Sequence, residues 1–211
     1  MSSKSPSGSK YNVVLLFGYP GSGKGTQGKV LGSLPGFVHL AMGDVFRALD
    51  PKSALGQEVA SYSSAGRLVP DELTIRMWKE HVANLVQKKV YRPEGNLLLL
   101  DGIPRTPVQA EAMRELIEVV RVVHLVIEDT QALFQRLRSR ALQQNRKDDA
   151  DETVIRRRYE TYEKETRATL DAYPQQIVAN VDAARTPLEV ARAIFDDLIR
   201  NVPAVRSLEI G

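Results

Sequence analysis

The sequence predicts an α/β fold in which a five-stranded parallel sheet carries helices on both faces. Three observations lead to this prediction. Apolar strand-like segments alternate with segments of helical spacing along the whole chain. Two of the strand segments, residues 13–17 and 97–100, are unbroken apolar runs, which suit a sheet that is covered on both faces. The first run ends at a glycine-rich loop that leads into a helix. This order favours parallel strands joined by right-handed crossovers.

The composition is that of an ordinary globular chain. Its 211 residues are 43% hydrophobic and 26% charged, which suits one domain with small inserts. The absence of cysteine excludes disulfides and thiolate chemistry and fits a cytoplasmic location. A net charge of +3 favours anionic small molecules as readily as nucleic acid. No apolar run is long enough for a membrane span, and residues 1–10, which lack a signal-peptide core, are expected to form a flexible tail.

The loop at residues 18–24 fits the Walker A pattern of a glycine, four residues and then Gly-Lys. Glycines in this pattern let successive backbone N–H groups converge on a phosphate, and the next helix adds its positive end. Lys24 would reach the outer phosphates as a point charge. Gly25 stands where the pattern has Ser or Thr, and Thr26 follows one residue later. The match is therefore incomplete, and a glycine-rich turn with a surface lysine is the alternative.

A second strand at residues 37–40 runs into a short polar segment. Asp44 is expected to cap a helix over residues 45–49, with Arg47 one turn further on. A capping aspartate and an exposed arginine are the plain interpretation of this pair. The following helical segment should end at Gly66, where a glycine can serve as the C-terminal cap.

Pro70 and Asp71 open a longer helix, whose apolar stripe makes Trp78 a core residue. The strand at residues 97–100 delivers Asp101 to the carboxyl edge of the sheet, where ligands bind in folds of this kind. Beside a phosphate loop, this carboxylate suggests magnesium, bound directly or through water. A turn-forming role is the alternative for Asp101.

Thr106, Pro107 and Gln109 have the pattern of a helix start, with Thr106 as cap and Gln109 closing a capping box. A strand is expected to follow at residues 122–127. The buried side of the helix between them is predicted to consist of Met113, Leu116, Ile117 and Val120.

From Arg136 onward, clustered arginines are interrupted by acidic residues. This alternation indicates a folded, internally paired lobe in which selected arginines face phosphate, although a solvated surface is the simpler role for any one of them. A fifth strand is predicted at residues 177–181 and a last helix at Thr186-Pro187. The apolar side of that helix is predicted to comprise Leu188, Ala191, Ile194 and Leu198.

Four separated blocks, GYPGSGKGTQ at residues 18–27, GDVFR at 43–47, LVPDE at 68–72 and DGIPRT at 101–106, are followed by Gln109. Together they resemble the adenylate kinases, and the resemblance spans nearly the whole chain beyond residue 10. It even covers Gly25, because this family has glycine after the lysine. The resemblance implies a P-loop NTPase fold and reversible transfer of the terminal phosphoryl group of Mg-ATP to AMP, giving two ADP. It also implies one domain at residues 11–211, with an acceptor-binding arm at about 43–80 and a short lid at about 138–152.

The resemblance assigns roles to individual residues. The reacting phosphates would be surrounded by the cations Lys24, Arg105, Arg140 and either Arg158 or Arg157. ATP would be bound by Gly21, Ser22, Gly23, Lys24, Gly25, Thr26 and Arg136. AMP would be bound by Met42, Arg47, Leu68, Val69, Gly102, Arg105 and Gln109. The lid would contribute Arg140, Arg146, Asp148 and Asp149, and the magnesium waters would be oriented by Asp101 and by Asp44 as a second candidate.

Two departures from the family pattern leave alternatives open. The family commonly has Ser-Thr before Gly43, whereas this chain has Ala41-Met42, and Met42 cannot donate the hydroxyl hydrogen bond to the base of AMP. The alternative to AMP as the acceptor is therefore UMP, CMP or a broader range of nucleoside monophosphates. The alternative to a kinase is a non-catalytic sensor of adenine nucleotides. Counting forward from Arg146 selects Arg157 as the arginine after the lid. Aligning the apolar stripe of Ile155, Tyr159 and Tyr162 selects Arg158 instead, and we favour Arg158. A monomer without nucleic-acid or membrane partners is expected.

Overall fold

The computed structural model of the protein describes residues 10–144 and 151–207. Its five strands are β1 (Tyr11–Gly18), β2 (Phe37–Ala41), β3 (Leu97–Asp101), β4 (Ile117–Val126) and β5 (Val178–Asp182). Its helices are α1 (Lys24–Gly32), α2 (Met42–Arg47), α3 (Ala54–Ser63), α4 (Asp71–Gln87), α5 (Pro107–Met113), α6 (Thr130–Gln144), α7 (Glu152–Thr161) and α8 (Pro187–Asn201). Short helical turns lie between α7 and β5, at Tyr162–Thr166, Arg167–Ala172 and Gln175–Ile177, and after α8, at Pro203–Ser207.

The strands form one sheet in the order β2-β3-β1-β4-β5, and every pairing between neighbours is parallel. β1 lies at the centre, in register with β3 from Val13 opposite Leu98 onward. This arrangement confirms the predicted parallel sheet. The carboxyl ends of β1, β2 and β3 meet at one edge, where the loop after β1 and the segment after β3 lie side by side.

Successive side chains of the central strand alternate between two cores, as a period of two requires. Val13, Leu15 and Phe17 pack into a core with Trp78 and Val82 of α4. The intervening side chains of β1 pack on the opposite face with residues of α1, α6 and α8, and this second core includes Val14, Leu16, Leu31, Leu133, Ile194 and Leu198. Helices therefore cover both faces of the sheet, and Trp78, at 1% exposure, is a core residue as predicted.

The structure corrects the predicted start of β4. α5 ends at Met113, and Ile117 and Val120 belong to the strand, not to a helical stripe. β4 is long because residues 117–119 and 121–125 pair with β1, and Val120 is left without a partner at the register shift between Val13 and Val14 of β1. Its sequence is rich in β-branched residues, which pack well on a pleated surface. Residues whose spacing also fits a helix therefore belong to the strand, because they are stabilised there by packing in the sheet.

Two further expectations about helices are wrong. α2 begins at Met42 with Ala41 as its N-cap, so Asp44 lies within the first turn and does not cap the helix. Leu188 is 80% exposed at the start of α8, because the buried side of that helix is formed by Val190, Ala191, Ile194 and Leu198. By contrast Gly66, just beyond α3, has φ +69°, the left-handed conformation expected of a C-terminal glycine. In the described part of the chain, no helix combines the length and apolar character needed to cross a membrane.

Candidate nucleotide site

The loop between β1 and α1 has a backbone that glycine alone adopts readily. Gly18, Gly21 and Gly23 have φ values of +142°, +88° and +102°, in the region that other residues avoid. A side chain at Gly18 would also meet the Leu125 carbonyl oxygen and Ser22 Oγ, each 2.6 Å from the position of a Cβ atom. The loop therefore has the local geometry of a phosphate cradle, with α1 starting directly behind it.

Lys24 crosses over this loop. Its ammonium donates to the carbonyl oxygens of Gly18 at 2.6 Å and Tyr19 at 3.0 Å. Burial lowers the pKa of Lys24 to about 8, and the neighbouring Asp101 carboxylate opposes that shift. Three guanidinium groups lower the pKa further, those of Arg105, Arg140 and Arg158. Four cations thus converge on one point, an arrangement that stabilises polyanions.

Arg105 lies in the segment after β3, in the same cluster. Burial lowers its pKa, and the positive charges of Arg158 and Arg47 act in the same direction, while Asp101 opposes them. Gly102, at φ +82°, leaves room for this side chain, because a Cβ atom there would lie 3.1 Å from Arg105 Nη2. The loop is thus built to hold a guanidinium close to the backbone at the sheet edge.

The phosphate loop and the segment after β3 open into one cavity of about 1540 Å³. Its lining includes all the predicted ATP residues, which are Gly21, Ser22, Gly23, Lys24, Gly25, Thr26 and Arg136. It also includes all the predicted AMP residues, which are Met42, Arg47, Leu68, Val69, Gly102, Arg105 and Gln109. Arg140, Arg158, Asp101 and Asp44 line it as well. The structure thus brings the predicted residues together, with the exceptions described next.

Arg157 does not line the cavity. Its guanidinium donates to the Ala65 carbonyl oxygen at 3.0 Å, on the exposed surface. Arg158, one residue later, lies on the cavity wall and acts electrostatically on both Lys24 and Arg105. Of the two candidates, Arg158, the arginine that the sequence analysis favours, is therefore the one that lines the cavity. Three predicted lid residues, Arg146, Asp148 and Asp149, lie outside the described residues.

Several predicted residues already have protein partners. Arg47 forms an ion pair with Asp44 at 2.5 Å. Arg136 donates to the carbonyl oxygens of Ala183 at 2.8 Å and Ala184 at 3.4 Å, which holds its guanidinium plane against the loop after β5. Met42 is only 1% exposed, so it contributes an apolar wall without a hydrogen-bond donor.

Gln109 departs from the predicted capping box. Thr106 Oγ1 accepts from the Gln109 backbone N–H at 3.1 Å, as expected of the cap. The Gln109 side chain, however, accepts from the backbone N–H of Arg105 at 2.7 Å and donates to Asp71 at 2.8 Å. Asp71, which the sequence analysis treated as a helix start, is thereby a hydrogen-bond partner of the cavity residue Gln109. A polar partner 38 positions away gives no signal in one sequence.

Tyr162 is 6% exposed, as its place in the apolar stripe with Ile155 and Tyr159 predicts, but nothing in the sequence indicated that it also contacts the site. It lines the cavity, and its hydroxyl lies 3.3 Å from His124 Nε2. Burial raises the pKa of Tyr162 to about 12. Tyr19 of the phosphate loop stacks on Tyr159 at 4.7 Å between ring centroids and contacts Tyr162 at 4.3 Å. These ring contacts connect the phosphate loop to α7, the helix that carries Arg158. The feature of the sequence that could have indicated this connection is Tyr19, an aromatic residue within the phosphate loop.

The carboxylates fit the needs of magnesium. Asp101 Oδ2 lies 3.9 Å from the position of a Cβ atom at Gly25, so the carboxylate faces the phosphate loop across a short gap. Mg²⁺ in phosphoryl-transfer sites binds one or two carboxylates, several waters and the substrate phosphates. Among the described residues no group of three His, Asp or Glu side chains forms a cage, and a site of this type does not require one.

Comparison with known proteins gives a uniform result. A family model described as "Adenylate kinase" matches residues 16–178. An adenylate kinase of Cyanothece sp. is 41% identical over 189 residues, covering 86% of this chain and 92% of that protein. Adenylate kinases of Porphyromonas gingivalis and Kocuria rhizophila are 37% and 35% identical, and the alignments cover 86% and 89% of this chain and 92% and 98% of those proteins.

Proposed function

Because the chain belongs to the adenylate kinase family, we propose that it moves the terminal phosphoryl group of Mg-ATP reversibly to AMP, giving two ADP. One observation carries the proposal. Lys24, Arg47 and Arg105 line a single cavity, although they come from three separate parts of the chain. A cavity with a phosphate loop at one side and two arginines at the other can hold two phosphorylated ligands with their phosphates facing.

The reaction needs positioned charge more than a base. A phosphate oxygen of AMP attacks the terminal phosphorus of ATP, the bond from that phosphorus to the bridging oxygen breaks, and ADP leaves with that oxygen. The attacking phosphate is already ionised, so no proton has to be removed. Charge on the migrating group spreads over its equatorial oxygens, where fixed cations stabilise it. Lys24, Arg105, Arg140 and Arg158, which all line the cavity, would take this role.

The remaining predicted residues divide between the two nucleotides. The backbone of residues 21–26 would hold the phosphates of ATP, and Arg136 would lie on its adenine. Arg47 and Arg105 would grip the phosphate of AMP, with Leu68, Val69, Gly102 and Gln109 around the acceptor. Mg²⁺ would be held by the ATP phosphates and waters oriented by Asp101, with Asp44 as the second candidate, and it would neutralise phosphate charge.

Two segments would form movable walls. We expect residues of about 43–80 to act as the acceptor-binding arm, since α2 and α3 line one end of the cavity, and residues of about 138–152 to act as a short lid. Arg140, at the end of α6, would carry the lid's charge to the phosphates, together with Arg146, Asp148 and Asp149. Closure would exclude water, which competes with AMP as acceptor. One chain supplies all these groups, so we expect a monomer, and a chain without cysteine suits the cytoplasm.

A coupled assay of ADP formation with AMP, CMP, UMP and GMP tests this function. We expect AMP to give the highest kcat/KM. A pyrimidine nucleotide in first place would overturn AMP as the acceptor, and Met42, an apolar residue at the acceptor wall, is the feature that favours this second candidate. No transfer to any of the four would instead indicate a nucleotide sensor.

Replacement of Arg105 tests the mechanism. We expect Arg105→Ala to lower turnover by about a thousandfold or more, the scale seen when a transition-state arginine is removed. Arg114→Ala is the matched control, because Arg114 is 67% exposed and its partner Glu111 lies on the surface of α5. Activity of Arg105→Ala within threefold of the unmodified protein would remove Arg105 from the mechanism.

A further inference from the structure

Asp71, the first residue of α4, joins two segments that line the acceptor half of the cavity. Its Oδ1 accepts a hydrogen bond from Gln109 Nε2 at 2.8 Å and another from Thr106 Oγ1 at 3.1 Å. Leu68 and Val69, which precede it, and Gln109 all line the cavity. The carboxylate therefore connects the arm to the segment after β3 at the place where the base of an acceptor would lie.

These contacts fix the orientation of the Gln109 amide. An ionised carboxylate can only accept hydrogen bonds, so Asp71 requires the NH₂ end of the amide. A backbone N–H can only donate, so the Arg105 N–H requires the oxygen end, which it contacts at 2.7 Å. Gln109 is 2% exposed, and a reversed amide would leave buried polar groups without hydrogen-bond partners, which is unfavourable.

The Thr106 hydroxyl is consistent with the same assignment. It has one proton, which it donates to Asp71, and its oxygen accepts from the Gln109 backbone N–H. Each of the four hydrogen bonds in this small network joins a donor to an acceptor. Asp71 is its only side-chain anion among the described residues.

The locked amide retains one donor and one acceptor. A glutamine amide offers two N–H groups and two lone pairs, and Asp71 and Arg105 take one of each. The remaining N–H and lone pair match a base whose exocyclic amino group lies beside an unprotonated ring nitrogen, as in adenine. A 6-oxo purine presents the reverse order, a carbonyl beside a ring N–H.

We propose that Asp71 is a specificity-determining residue that positions Gln109 so that the acceptor site selects amino bases over oxo bases. The inference rests on the proposed function, in which Gln109 faces the base of the acceptor. Arg47 and Arg105 would hold the phosphate end, so the base cannot turn over to satisfy a mismatched amide. Cytosine has the same arrangement of amino group and ring nitrogen as adenine. The oriented amide therefore discriminates between amino and oxo bases, whereas discrimination between purines and pyrimidines would depend on the apolar wall at Met42.

AMP and IMP form the matched pair of probes, because they differ only at position 6 and the adjacent nitrogen. We expect the unmodified protein to prefer AMP at least a hundredfold, and Asp71→Ala to reduce this preference at least tenfold, since the freed amide can reverse. The change should lie in KM and Kd more than in kcat. Asp71→Asn keeps an acceptor oxygen and should retain more of the preference than Asp71→Ala.

Glu72→Ala is the control, because Glu72 is an exposed acid in the same first turn of α4. It should leave the AMP to IMP preference unchanged. In a Gln109→Leu background, Asp71→Ala should have no further effect on the preference, since the residue acts through Gln109. A purely structural role for Asp71 would instead weaken AMP and IMP equally in both backgrounds.

Equilibrium binding of AMP and IMP separates this inference from the proposed function. Absence of ADP formation would overturn the kinase activity, whereas the ratio of the two dissociation constants still decides the role of Asp71. A ratio within twofold of the unmodified protein in Asp71→Ala, with a native thermal unfolding midpoint, would overturn the inference. Should Asp71→Ala not fold, the same criterion applies to Asp71→Leu, whose side chain fills the space but offers no hydrogen-bond acceptor.

Discussion

Arg157 and Arg158 are neighbours in the chain but lie in different surroundings. Helical geometry turns successive side chains about a hundred degrees apart, so only one of the two can face the cavity from α7. Ile155 is 1% exposed, and its burial in the core fixes the rotation of α7 about its axis. Arg158 then faces Lys24 and Arg105, while Arg157 caps the carbonyl of Ala65.

Single alanine replacements test this difference. We expect Arg158→Ala to lower kcat by at least a hundredfold, because it removes one of four converging cations, and Arg157→Ala to change kcat by less than threefold. Steady-state kinetics with ATP and AMP measure both. Equal losses in the two variants, or a larger loss for Arg157→Ala, would reverse the assignment.

The lowered pKa of Lys24 makes a prediction about pH. Lys24 is charged below a pKa of about 8 and neutral above it, so its attraction for phosphate is lost as pH rises. We expect kcat/KM for ATP, which reports the free protein, to fall above about pH 8 and to approach a tenfold loss per pH unit. Bound phosphate favours the charged form and raises the pKa, so kcat should stay level to higher pH.

Lys24→Arg is the comparison for this profile, because a guanidinium stays charged throughout the range. We expect its kcat/KM to be lower at every pH because the geometry is altered, and the decline above pH 8 to be absent. A profile that coincides in shape with that of the unmodified protein would show that another group titrates.

At the scale of elements, α1 lies unusually close to β2. A Cβ atom at Gly32 would lie 2.6 Å from His39 Cβ and 3.2 Å from the His39 backbone nitrogen, and one at Gly28 would lie 2.3 Å from His39 Nε2. Gly28 and Gly32, one helical turn apart, therefore leave the space that the side chain of His39 occupies between α1 and β2. This close approach also sets the position of the phosphate loop, since α1 starts at Lys24.

Gly32→Ala tests whether that contact is required. In an exposed helix the change would stabilise by about 1 kcal/mol, but here the methyl group would displace α1 from β2, and overpacking costs about 1–3 kcal/mol. We expect a lower thermal unfolding midpoint. Gly25→Ala, in the same helix, has only ordinary contact with Asp101 at 3.9 Å and serves as the stability control. A raised midpoint in Gly32→Ala would contradict the close packing.

The elements show which features a single sequence can reveal. The apolar runs predict β1 and β3, and the glycine spacing predicts the loop after β1, because these signals are local. The start of β4 was missed because Ile117 and Val120 fit both a helical stripe and a strand. Only pairing with β1, in which Ile117 lies opposite Tyr11, decides between the two. Spacing correctly predicts that Tyr162 is buried, whereas only the folded chain places its hydroxyl beside His124.

Across the whole molecule, the site collects residues from distant parts of the chain. The phosphate loop follows β1, Arg47 ends α2, Arg105 follows β3 and Arg158 belongs to α7. The parallel sheet brings the first three together, because the carboxyl ends of its strands share one edge. From sequence, this convergence followed from the family resemblance, whereas links such as Asp71 to Gln109 and the buried ion pair of Arg121 with Asp197 depend on the folded arrangement.

The shared cavity predicts how a bisubstrate compound behaves. We expect two adenosines joined by five phosphates to compete with both ATP and AMP, and to bind at least a hundredfold more tightly than ATP, because linking makes the second binding event intramolecular. Arg47→Ala should remove much of this advantage, since it weakens only the acceptor half, whereas Arg114→Ala should retain it. Competition with ATP alone would mean that the acceptor binds outside the cavity that Lys24, Arg47 and Arg105 line.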